Sequence, residues 1–433
     1  MQTKTKTAAV CVLLLAMAGL AGLIMFGSGP QAADSEPKII LAHDKGNLPG
    51  FQRNFELQGE EAKQAINLGF TPMAYPSTDL YIQQMHASLP TRNAPALFTW
   101  WTTYRVKKLV EQDLVADLTH LWDKHADDYP RAIREAHTLN GRVYGFPYSI
   151  EYWPVWYNKP LFDRLNIRQP ETWEDFIRAC QVLKANGIPP ILSSLQFEWY
   201  AFVWFQALVI GENPDFYKKL CRGQAGYSDA PALKAMLLWQ DMIKQGYFTD
   251  PSAHMFSNAG HLWNNEKFGM VLCGTWYYST VLLEQGVDPE NIGVFILPSH
   301  NPEAGKNIVM ESGPIFTAKN AGQRAAAEKI ADWWMGPEGN TPFSETFQSY
   351  SANNRADTSH LHPVKQQLLT TIRGADYRIF NRYWEAAPTP IVDKAVELFA
   401  RFILNPDEME AVIQELTAEA DTYWTEHADR MGH

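Results

Sequence analysis

The chain has 433 residues, of which 46% are hydrophobic and 20% charged, and its formal net charge is −11. A chain of this length exceeds what a single hydrophobic core usually organises, so two lobes are expected. The acidic balance argues against nucleic acid as a partner, because phosphate binding needs concentrated Lys and Arg, and it mildly disfavours an anionic ligand.

Residues 1–33 have the pattern of an export signal. Lys4 and Lys6 precede a run without charged residues at 8–26, and small residues follow. We therefore expect the chain to leave the cytoplasm and to work in the periplasm. The same run would span about 28 Å as a helix, so an uncleaved membrane anchor is the alternative to a cleaved signal peptide.

Removal of that segment would leave three cysteines, Cys180, Cys221 and Cys273. An odd number allows at most one internal disulfide, and no pair has CxxC spacing. We expect buried thiols.

The first elements after the leader follow a strand, helix, strand pattern. The apolar run at 38–44 ends in polar residues, and a second strand is expected around 70–74. A helix should begin near Ser77 or Thr78, either of which can cap it, and "APALFTWW" at 94–101 is the next strand. This order predicts an α/β fold with a parallel sheet.

A helix is expected to begin after Thr172, which can cap it, with Asp175 in the first turn. Apolar residues then form one face up to Leu183, and Gly187 and Pro189 end the helix. Four later segments have helical periodicity, at 231–245, 321–335, 391–404 and 407–424. Two further strands are expected at 267–276 and 291–299.

The segment "GRVYGFPYSIEYWPVWYNKPLFDRLNIRQPETWEDFIRACQVLKANGIPPI" resembles the extracellular solute-binding proteins of ABC importers, in the sugar-binding family 1 that includes the maltose-binding protein. Shorter segments that resemble the same family follow the expected order and include "EKFGMVLCGTWYYST" and "ADWWMGPEGNTPFSETFQSYSANNRAD". Together these segments cover almost the entire chain after the leader.

The resemblance implies a two-lobed, type II periplasmic-binding-protein fold in the α/β class, with the ligand in a cleft that closes. Three chain crossings are expected, near 149–153, 305–306 and 353–355. The N-terminal lobe would comprise 34–150 and 306–353, and the C-terminal lobe 151–305 and 354–430.

The stretch "GFPYSIEYWPVWYNK" at 145–159 is rich in aromatic residues. Phe146 and Tyr157 are assigned to the core, while Tyr148, Tyr152 and Trp153 flank the expected crossing and are assigned to the cleft. Such a wall suits a sugar, because aromatic faces cover the C–H faces of a pyranose while polar side chains bind its hydroxyl groups.

Ligands of open α/β sheets bind beyond the carboxyl ends of the strands. His43 and Asp44 end the first strand, and Trp100, Trp101 and Thr102 lie at the end of a later one. Two alternatives stay open here. Asp44 either accepts ligand hydroxyl groups or is a solvated loop acid, and the two tryptophans either line the cleft or pack in the core and over a helix.

Later segments add further candidates. Gln196 and Trp199 precede an expected helix, and the resemblance implies ligand contacts from Trp199 and Trp276. Glu311 departs from the small residues usual in the family, and it either accepts a hydroxyl hydrogen bond or points to solvent. Arg355 is either a ligand donor or part of an ion pair. The complete expected ligand-binding set is His43, Asp44, Trp100, Trp101, Thr102, Tyr148, Glu151, Tyr152, Trp153, Gln196, Trp199, Trp276, Tyr277, Glu311, Ser312 and Arg355.

The sequence therefore predicts the substrate-binding component of an ABC transporter, a monomer without cofactor or metal, that captures a mono- or oligosaccharide and delivers it to permease subunits in the inner membrane. A polyamine or another non-sugar solute is the alternative ligand. A glycan-active enzyme is the alternative class, for which Asp44, Glu151 and Glu311 could supply the carboxyl groups. Motifs such as GxSxG, HExxH and GxxxxGK[ST] are absent from the sequence.

Overall fold

A computed structural model describes residues 38–427 of the chain. The expected export signal or anchor lies outside these residues. The strands of the described part are β1 (Ile40–His43), β2 (Thr71–Ala74), β3 (Leu97–Thr99), β4 (Thr138–Leu139), β5 (Arg142–Val143), β6 (Phe146–Tyr152), β7 (Val155–Asn158), β8 (Met270–Leu272), β9 (Ile292–Phe295), β10 (Asn307–Thr317) and β11 (Arg378–Asn381).

Helices surround these strands. The α-helices are α1 (Pro49–Ile66), α2 (Thr78–Ser88), α3 (Tyr104–Glu111), α4 (Thr119–Lys124), α5 (Arg131–Ala136), α6 (Lys159–Arg164), α7 (Trp173–Ala185), α8 (Val203–Glu212), α9 (Pro214–Cys221), α10 (Ala230–Lys244), α11 (Ala259–Asn264), α12 (Arg324–Met335), α13 (Pro337–Phe347), α14 (Pro363–Gly374), α15 (Tyr383–Ala386), α16 (Thr389–Leu404) and α17 (Met409–Glu426). A π-helix spans Tyr278–Leu283, and short 3-10 turns include Glu198–Phe202. No helix within 38–427 is both long and apolar enough to cross a bilayer.

The larger sheet has the strand order β11-β10-β3-β1-β2, with β6 paired to β10 as a sixth strand. β1 is parallel to both β2 and β3, which confirms the predicted parallel strands. β10 runs antiparallel to β3 and β6, and it is parallel to β11. The carboxyl ends of β1 and β3 therefore meet at one edge of this sheet.

The smaller sheet has the order β8-β7-β9, and both pairs are antiparallel. The chain leaves the larger sheet between β6 and β7 and returns to it between β9 and β10. These passages lie near two of the expected crossings. β11 then pairs with β10, so a segment after residue 353 also reaches the larger sheet. The residue boundaries of the two lobes stay a prediction.

Two helix starts follow the capping residues read from the sequence. The Ser77 side chain accepts a hydrogen bond from the Leu80 N–H at the start of α2. Thr172 and Asp175 form a reciprocal capping box at the start of α7. Because these caps are local, they could be identified without knowledge of the tertiary structure.

The β6–β10 ribbon joins the two sheets and carries side chains on both faces. Ser149 and Glu151 face the opposite way to Ile150 and Tyr152, as alternation along a strand requires. Tyr148 interrupts this alternation. In the pairing register, Pro147 and Ser149 lie opposite Pro314 and Gly313, which are adjacent, so Tyr148 is the extra residue of a β-bulge.

Of the two residues of the stretch 145–159 assigned to the core, Phe146 and Tyr157, one is buried. Phe146 is fully buried, and Trp156 is buried against Tyr278 with a ring separation of 5.6 Å. Tyr157 is only half-buried, although its ring packs against Phe162. The cysteines of the described part, Cys180, Cys221 and Cys273, are buried free thiols, as expected.

Candidate functional site

A cleft lies at the carboxyl ends of β1 and β3, and it contains about 980 Å³ of space not occupied by protein atoms, part of which is open to solvent. It has two walls of different composition. The aromatic wall comes from residues between β7 and β10 and consists of Phe197, Trp199, Phe256 and Trp276. The mixed wall comprises the other lining residues, Asp44, Lys45, Asn47, Leu48, Phe51, Thr78, Thr99, Trp100, Trp101, Tyr148, Ser149, Glu151, Glu311, Ser312, Gly313, Pro314, Arg382 and Trp384.

The strand ends place their side chains as the general rule for open α/β sheets predicts. Asp44 follows β1 and accepts a hydrogen bond from Lys45 Nζ at 2.7 Å. Trp100 follows β3 and is nearly buried, with its Nε1–H donating to the Arg105 carbonyl oxygen at 2.9 Å. Trp101 is half-buried beside it, at a ring separation of 5.1 Å. Both tryptophans line the cleft.

Ser149 and Glu151 project from β6 into the cleft, and their side chains are almost completely buried. Glu151 Oε2 accepts a hydrogen bond from Thr275 Oγ1 at 2.5 Å. Within residues 38–427, neither Glu151 Oε1 nor Ser149 Oγ makes a hydrogen bond of good geometry. Buried polar atoms normally have partners, so these two oxygens indicate a place for a bound group.

A buried lysine lies behind Glu151. Lys365 Nζ donates to the carbonyl oxygens of Thr275, at 3.3 Å, and of Gln348. Burial raises the pKa of the Glu151 carboxyl, while the Lys365 ammonium, the Thr275 hydroxyl and the nearby Ser149 hydroxyl favour its charged form. The same burial lowers the pKa of Lys365, which the Glu151 carboxylate opposes. The two groups therefore depend on each other for their charge.

The rings of the aromatic wall contact one another closely. Trp276 and Phe256 are stacked, with centroids 6.0 Å apart and planes inclined by 20°. Trp199 lies 6.4 Å from Trp276, and Phe197 lies 4.8 Å from Phe256. The wall is thus a continuous apolar surface, of which Trp199 and Phe197 are half-buried.

Glu311 lies on β10 in the mixed wall and contacts the aromatic wall. Its Oε1 accepts a hydrogen bond from Trp276 Nε1 at 2.8 Å, and its Oε2 lies 2.5 Å from Arg382 Nη1. Arg382 also pairs with Glu385, and its guanidinium lies over the Trp153 ring at 5.6 Å. The side chain of Glu311 is 11% exposed, so it does not point to solvent.

Several residues expected at the site line the cleft: Asp44, Trp100, Trp101, Tyr148, Glu151, Trp199, Trp276, Glu311 and Ser312. Others are buried behind it. The His43 ring is bonded to Gln52 Oε1 at 2.8 Å, and burial lowers the pKa of His43 to about 4. Thr102 is buried outside the lining, and the fully buried Tyr277 donates its hydroxyl hydrogen to the Met255 carbonyl oxygen.

The remaining expected residues lie in other places. Tyr152 is on the far face of β6, and Trp153 is buried beneath Arg382. Gln196 is exposed and bonded to Ser257 Oγ. Arg355 forms an ion pair with Asp128 at 2.6 Å, which was the alternative to a ligand contact.

Other lining residues were not identified from the sequence. Arg382 and Trp384 reach the cleft from a segment far along the chain, and Phe256 comes from a loop without a motif. Phe197 adjoins Gln196 and Trp199, so its aromatic neighbourhood was the one available signal. Lys45 adjoins Asp44 in the same way. In the part of the chain that the structure describes, no group of His, Cys, Asp and Glu side chains could hold a metal ion.

Comparison with solved structures establishes the fold. The bacterial solute receptor AcbH, which has an exclusive substrate preference for β-D-galactopyranose, superimposes with a TM-score of 0.78. The alignment covers 89% of this chain and 99% of AcbH, at 17% sequence identity. The two-lobed, type II periplasmic-binding-protein fold expected from the sequence is confirmed.

Comparison with protein sequences gives the family. An uncharacterized ABC transporter extracellular-binding protein of Pyrococcus horikoshii is 26% identical over 239 residues, 48% of this chain and 54% of that protein. The multiple sugar-binding protein of Streptococcus mutans is 24% identical over 218 residues, 48% of either protein. The chain spans about half the length of these curated relatives. The model of the bacterial extracellular solute-binding protein family matches residues 66–341, and the chain therefore belongs to this family.

Proposed function

We propose that this protein is the substrate-binding component of an ABC importer and that it captures a mono- or oligosaccharide outside the cytoplasm. The observation that carries the proposal is the combination of the aromatic wall with two buried oxygens, Glu151 Oε1 and Ser149 Oγ, that make no hydrogen bond of good geometry among residues 38–427. A sugar has both of the properties that this combination requires, an apolar C–H face and hydroxyl donors.

The size of the interaction is sufficient for useful affinity. An aromatic side chain buries ~150 to 250 Å² when fully covered, roughly 4 to 6 kcal/mol at ~25 cal/mol per Å² as an upper bound. Micromolar affinity requires about 8 kcal/mol net. Two or three partly covered rings and a few hydrogen bonds supply that amount after the cost of association.

The charges of the cleft favour a neutral ligand over a polyamine. Asp44 is paired with Lys45, Glu311 is paired with Arg382, and Glu151 shares Thr275 with the buried Lys365. A cationic ligand would need carboxylates without such partners, because each protein cation competes with it. The lining cations are equally engaged, so an anionic sugar is also disfavoured.

We propose binding without cleavage. A glycoside hydrolase needs two carboxyl groups about 5 to 9.5 Å apart, one able to donate a proton to the substrate and the other free to act as nucleophile or base. Both oxygens of Glu311 are engaged by Trp276 and Arg382, and Asp44 is held by Lys45. The family consists of binding proteins, which agrees with this proposal.

The proposed partner is a permease with its ATPase in the inner membrane, reached from the periplasm. The names of two relatives, an ABC transporter extracellular-binding protein and a multiple sugar-binding protein, support this assignment. A ligand that contacts both walls favours the closed arrangement of the lobes over the open one, and the closed form is the one to be presented to the permease.

A thermal-shift screen tests the proposal. The purified protein is heated with monosaccharides, disaccharides and oligosaccharides, and polyamines and sugar phosphates serve as controls. A ligand at 100 times its dissociation constant should add about 2.7 kcal/mol to the free energy of unfolding. We expect a neutral sugar to produce this shift and to be recovered unchanged. A shift by polyamines alone would overturn the ligand class, and consumption of the sugar would show an enzyme.

A further inference from the structure

The Trp276 indole is held in one orientation from several sides. Its Nε1–H donates to Glu311 Oε1, and its ring stacks on Phe256. The backbone of Gly274 passes directly beneath it, because a Cβ at that position would lie only 2.4 Å from Nε1. The ring is thus fixed by one hydrogen bond, one stacked neighbour and one glycine.

Glu311 is itself held by an ion pair with Arg382, which in turn pairs with Glu385. Its Oε2 binds Arg382, whose guanidinium binds Glu385 at 2.5 Å. The backbone N–H of Arg382 donates to the Met310 carbonyl oxygen on β10 at 3.1 Å, which anchors the arginine to the same strand. Because the pair is 9% and 11% exposed, little solvent screens it.

Glu311 and Glu151 differ in how many of their carboxylate oxygens have a protein partner. Each carboxylate oxygen of Glu311 already has a protein partner, whereas Glu151 Oε1 has none within the described chain. We infer that Glu311 is a positioning residue, which orients the Trp276 indole as the platform for the ligand, and that Glu151 binds the ligand directly. This inference rests on the proposed function, since it assigns roles within the same cleft.

The physical basis is preorganisation. A stacked sugar gains contact only with a ring face held at the correct angle, and a ring that must be ordered during binding loses side-chain entropy at that moment. The hydrogen bond to Glu311 removes this freedom before the ligand arrives. Loss of Glu311 should therefore weaken binding through Trp276.

A double-mutant cycle tests this route. The variants are E311L, E311Q, W276F and E311L/W276F, and titration calorimetry measures the dissociation constant of the tightest sugar among glucose, galactose, maltose and raffinose. We expect E311L to weaken binding about tenfold, since about 1.4 kcal/mol corresponds to a factor of ten. E311Q keeps an acceptor for the indole and should lose less. In the W276F background, which has no indole N–H, E311L should cause little further loss.

A matched control and a ligand-free measurement complete the test. Glu212 has a side chain 11% exposed and is ion-paired with Lys234 away from the cleft, so E212Q should leave the affinity unchanged. In spectra of ¹⁵N-Trp protein without ligand, W276F identifies the Trp276 indole N–H signal. That signal should shift in E311L, while the signal of Trp122, whose indole N–H binds the Gly145 carbonyl oxygen, should not.

Two results would overturn the inference. Additive losses from E311L and W276F would mean that Glu311 affects binding by a route that does not pass through the Trp276 indole. An unchanged Trp276 signal in both E311L and E311Q would mean that the carboxylate does not hold the indole. If no sugar binds the unaltered protein, the proposed function fails, and the ligand-free spectra still decide whether Glu311 positions Trp276.

Discussion

The two walls of the cleft differ in the chemistry they offer. The aromatic wall consists only of Phe and Trp side chains. Every charged or hydroxyl-bearing side chain that lines the cleft belongs to the mixed wall. One wall therefore suits the C–H face of a sugar and the other its hydroxyl groups. Affinity should depend on both walls, while stereochemical choice should depend on the mixed wall.

The difference follows from the elements that build each wall. The mixed wall uses the ends of parallel strands and the β6–β10 ribbon, where side chains such as Asp44 and Glu151 have fixed directions. The aromatic wall uses a 3-10 turn that contains Trp199, the loop at Phe256 and the turn before the π-helix that contains Trp276. Rings hold such irregular segments together because each packs against the next.

The largest expected effect separates a wall tryptophan from a core tryptophan. Trp204 is 2% exposed, stacks on Phe176 and packs against Phe248. W204A should lower the free energy of unfolding by about 3 to 5 kcal/mol and leave the sugar affinity nearly unchanged. W199A, at the half-buried aromatic wall, should instead weaken binding roughly 10- to 100-fold with a smaller loss of stability.

Chemical denaturation and titration calorimetry of both variants measure this contrast. The two positions are five residues apart, so differences in local chain context are small. Equal losses of stability with unchanged affinity would remove Trp199 from the site. A loss of affinity in W204A as large as that in W199A would mean that packing of the core also controls ligand binding at the aromatic wall.

Acid should lower the free energy of unfolding through two buried histidines that adjoin the mixed wall. His43 precedes Asp44, and His137 contacts Ser312 Oγ, and burial lowers the pKa of each histidine to about 4 from 6.5. Between pH 6.5 and 4 the unfolded chain binds more protons, so the free energy of unfolding should fall as the pH is lowered. Each histidine should account for about 3 kcal/mol at most.

Denaturation at a series of pH values checks this expectation in the wild type and in H43N and H137N. Each substitution should flatten the dependence on pH between 6.5 and 4, whatever its effect on stability at pH 7. An unchanged slope in both variants would show that other groups control the acid response and that the two walls do not differ in this respect.

A smaller effect distinguishes an oxygen reserved for ligand from one that serves the fold. Ser149 Oγ makes no hydrogen bond of good geometry in the described chain, so S149A should leave the stability nearly equal while weakening binding about 2- to 10-fold. Ser344 is equally buried, but its Oγ donates to the Ser349 carbonyl oxygen at 2.6 Å. S344A should lose about 1 kcal/mol of stability and keep its affinity.

Thermal unfolding and calorimetry of the two alanine variants provide the comparison. A clear loss of stability in S149A would mean that the free protein already uses this hydroxyl. Unchanged affinity would remove Ser149 from the mixed wall.

The sequence contained enough information for the fold and for part of the site. Local signals, such as the caps at Ser77 and Thr172, and the order of strands and helices led to the α/β class and to the parallel strands β1, β2 and β3. The antiparallel pairings of β10 with β3 and β6 and of the smaller sheet were not predicted. The rule that ligands lie beyond strand ends placed Asp44, Trp100 and Trp101 at the cleft. The export signal and the lobe boundaries stay predictions.

The remaining lining residues depend on contacts between distant segments. Arg382 reaches the cleft because β11 pairs with β10, a pairing that no local pattern encodes. Tyr148 and Tyr152 would share a face in a regular strand, and the bulge at Tyr148 separates them, so that one lines the cleft and the other does not. Trp153 could not be placed from the sequence for another reason, since a tryptophan suits a core and a cleft equally well.

The smallest expected effect concerns an exposed ion pair between α1 and the residue after the π-helix. Arg53 on α1 and Glu284 after the π-helix form an ion pair, with side chains 56% and 23% exposed. Because exposed pairs contribute about 0 to 1 kcal/mol, R53A should barely change stability. The pair links α1 to the segment that follows Trp276, so its loss should speed ligand release and raise the dissociation constant less than about fivefold. The effect should disappear at 1 M salt, where the screening length is about 3 Å.

R131A, which breaks an exposed pair with Glu135 on α5, should change neither stability nor release. Stopped-flow measurement of the ligand release rate at two salt concentrations, in R53A, R131A and the wild type, tests this expectation. A loss above tenfold that persists in salt would mean that the Arg53–Glu284 pair, rather than the contrast between the two walls, controls how long the ligand stays bound.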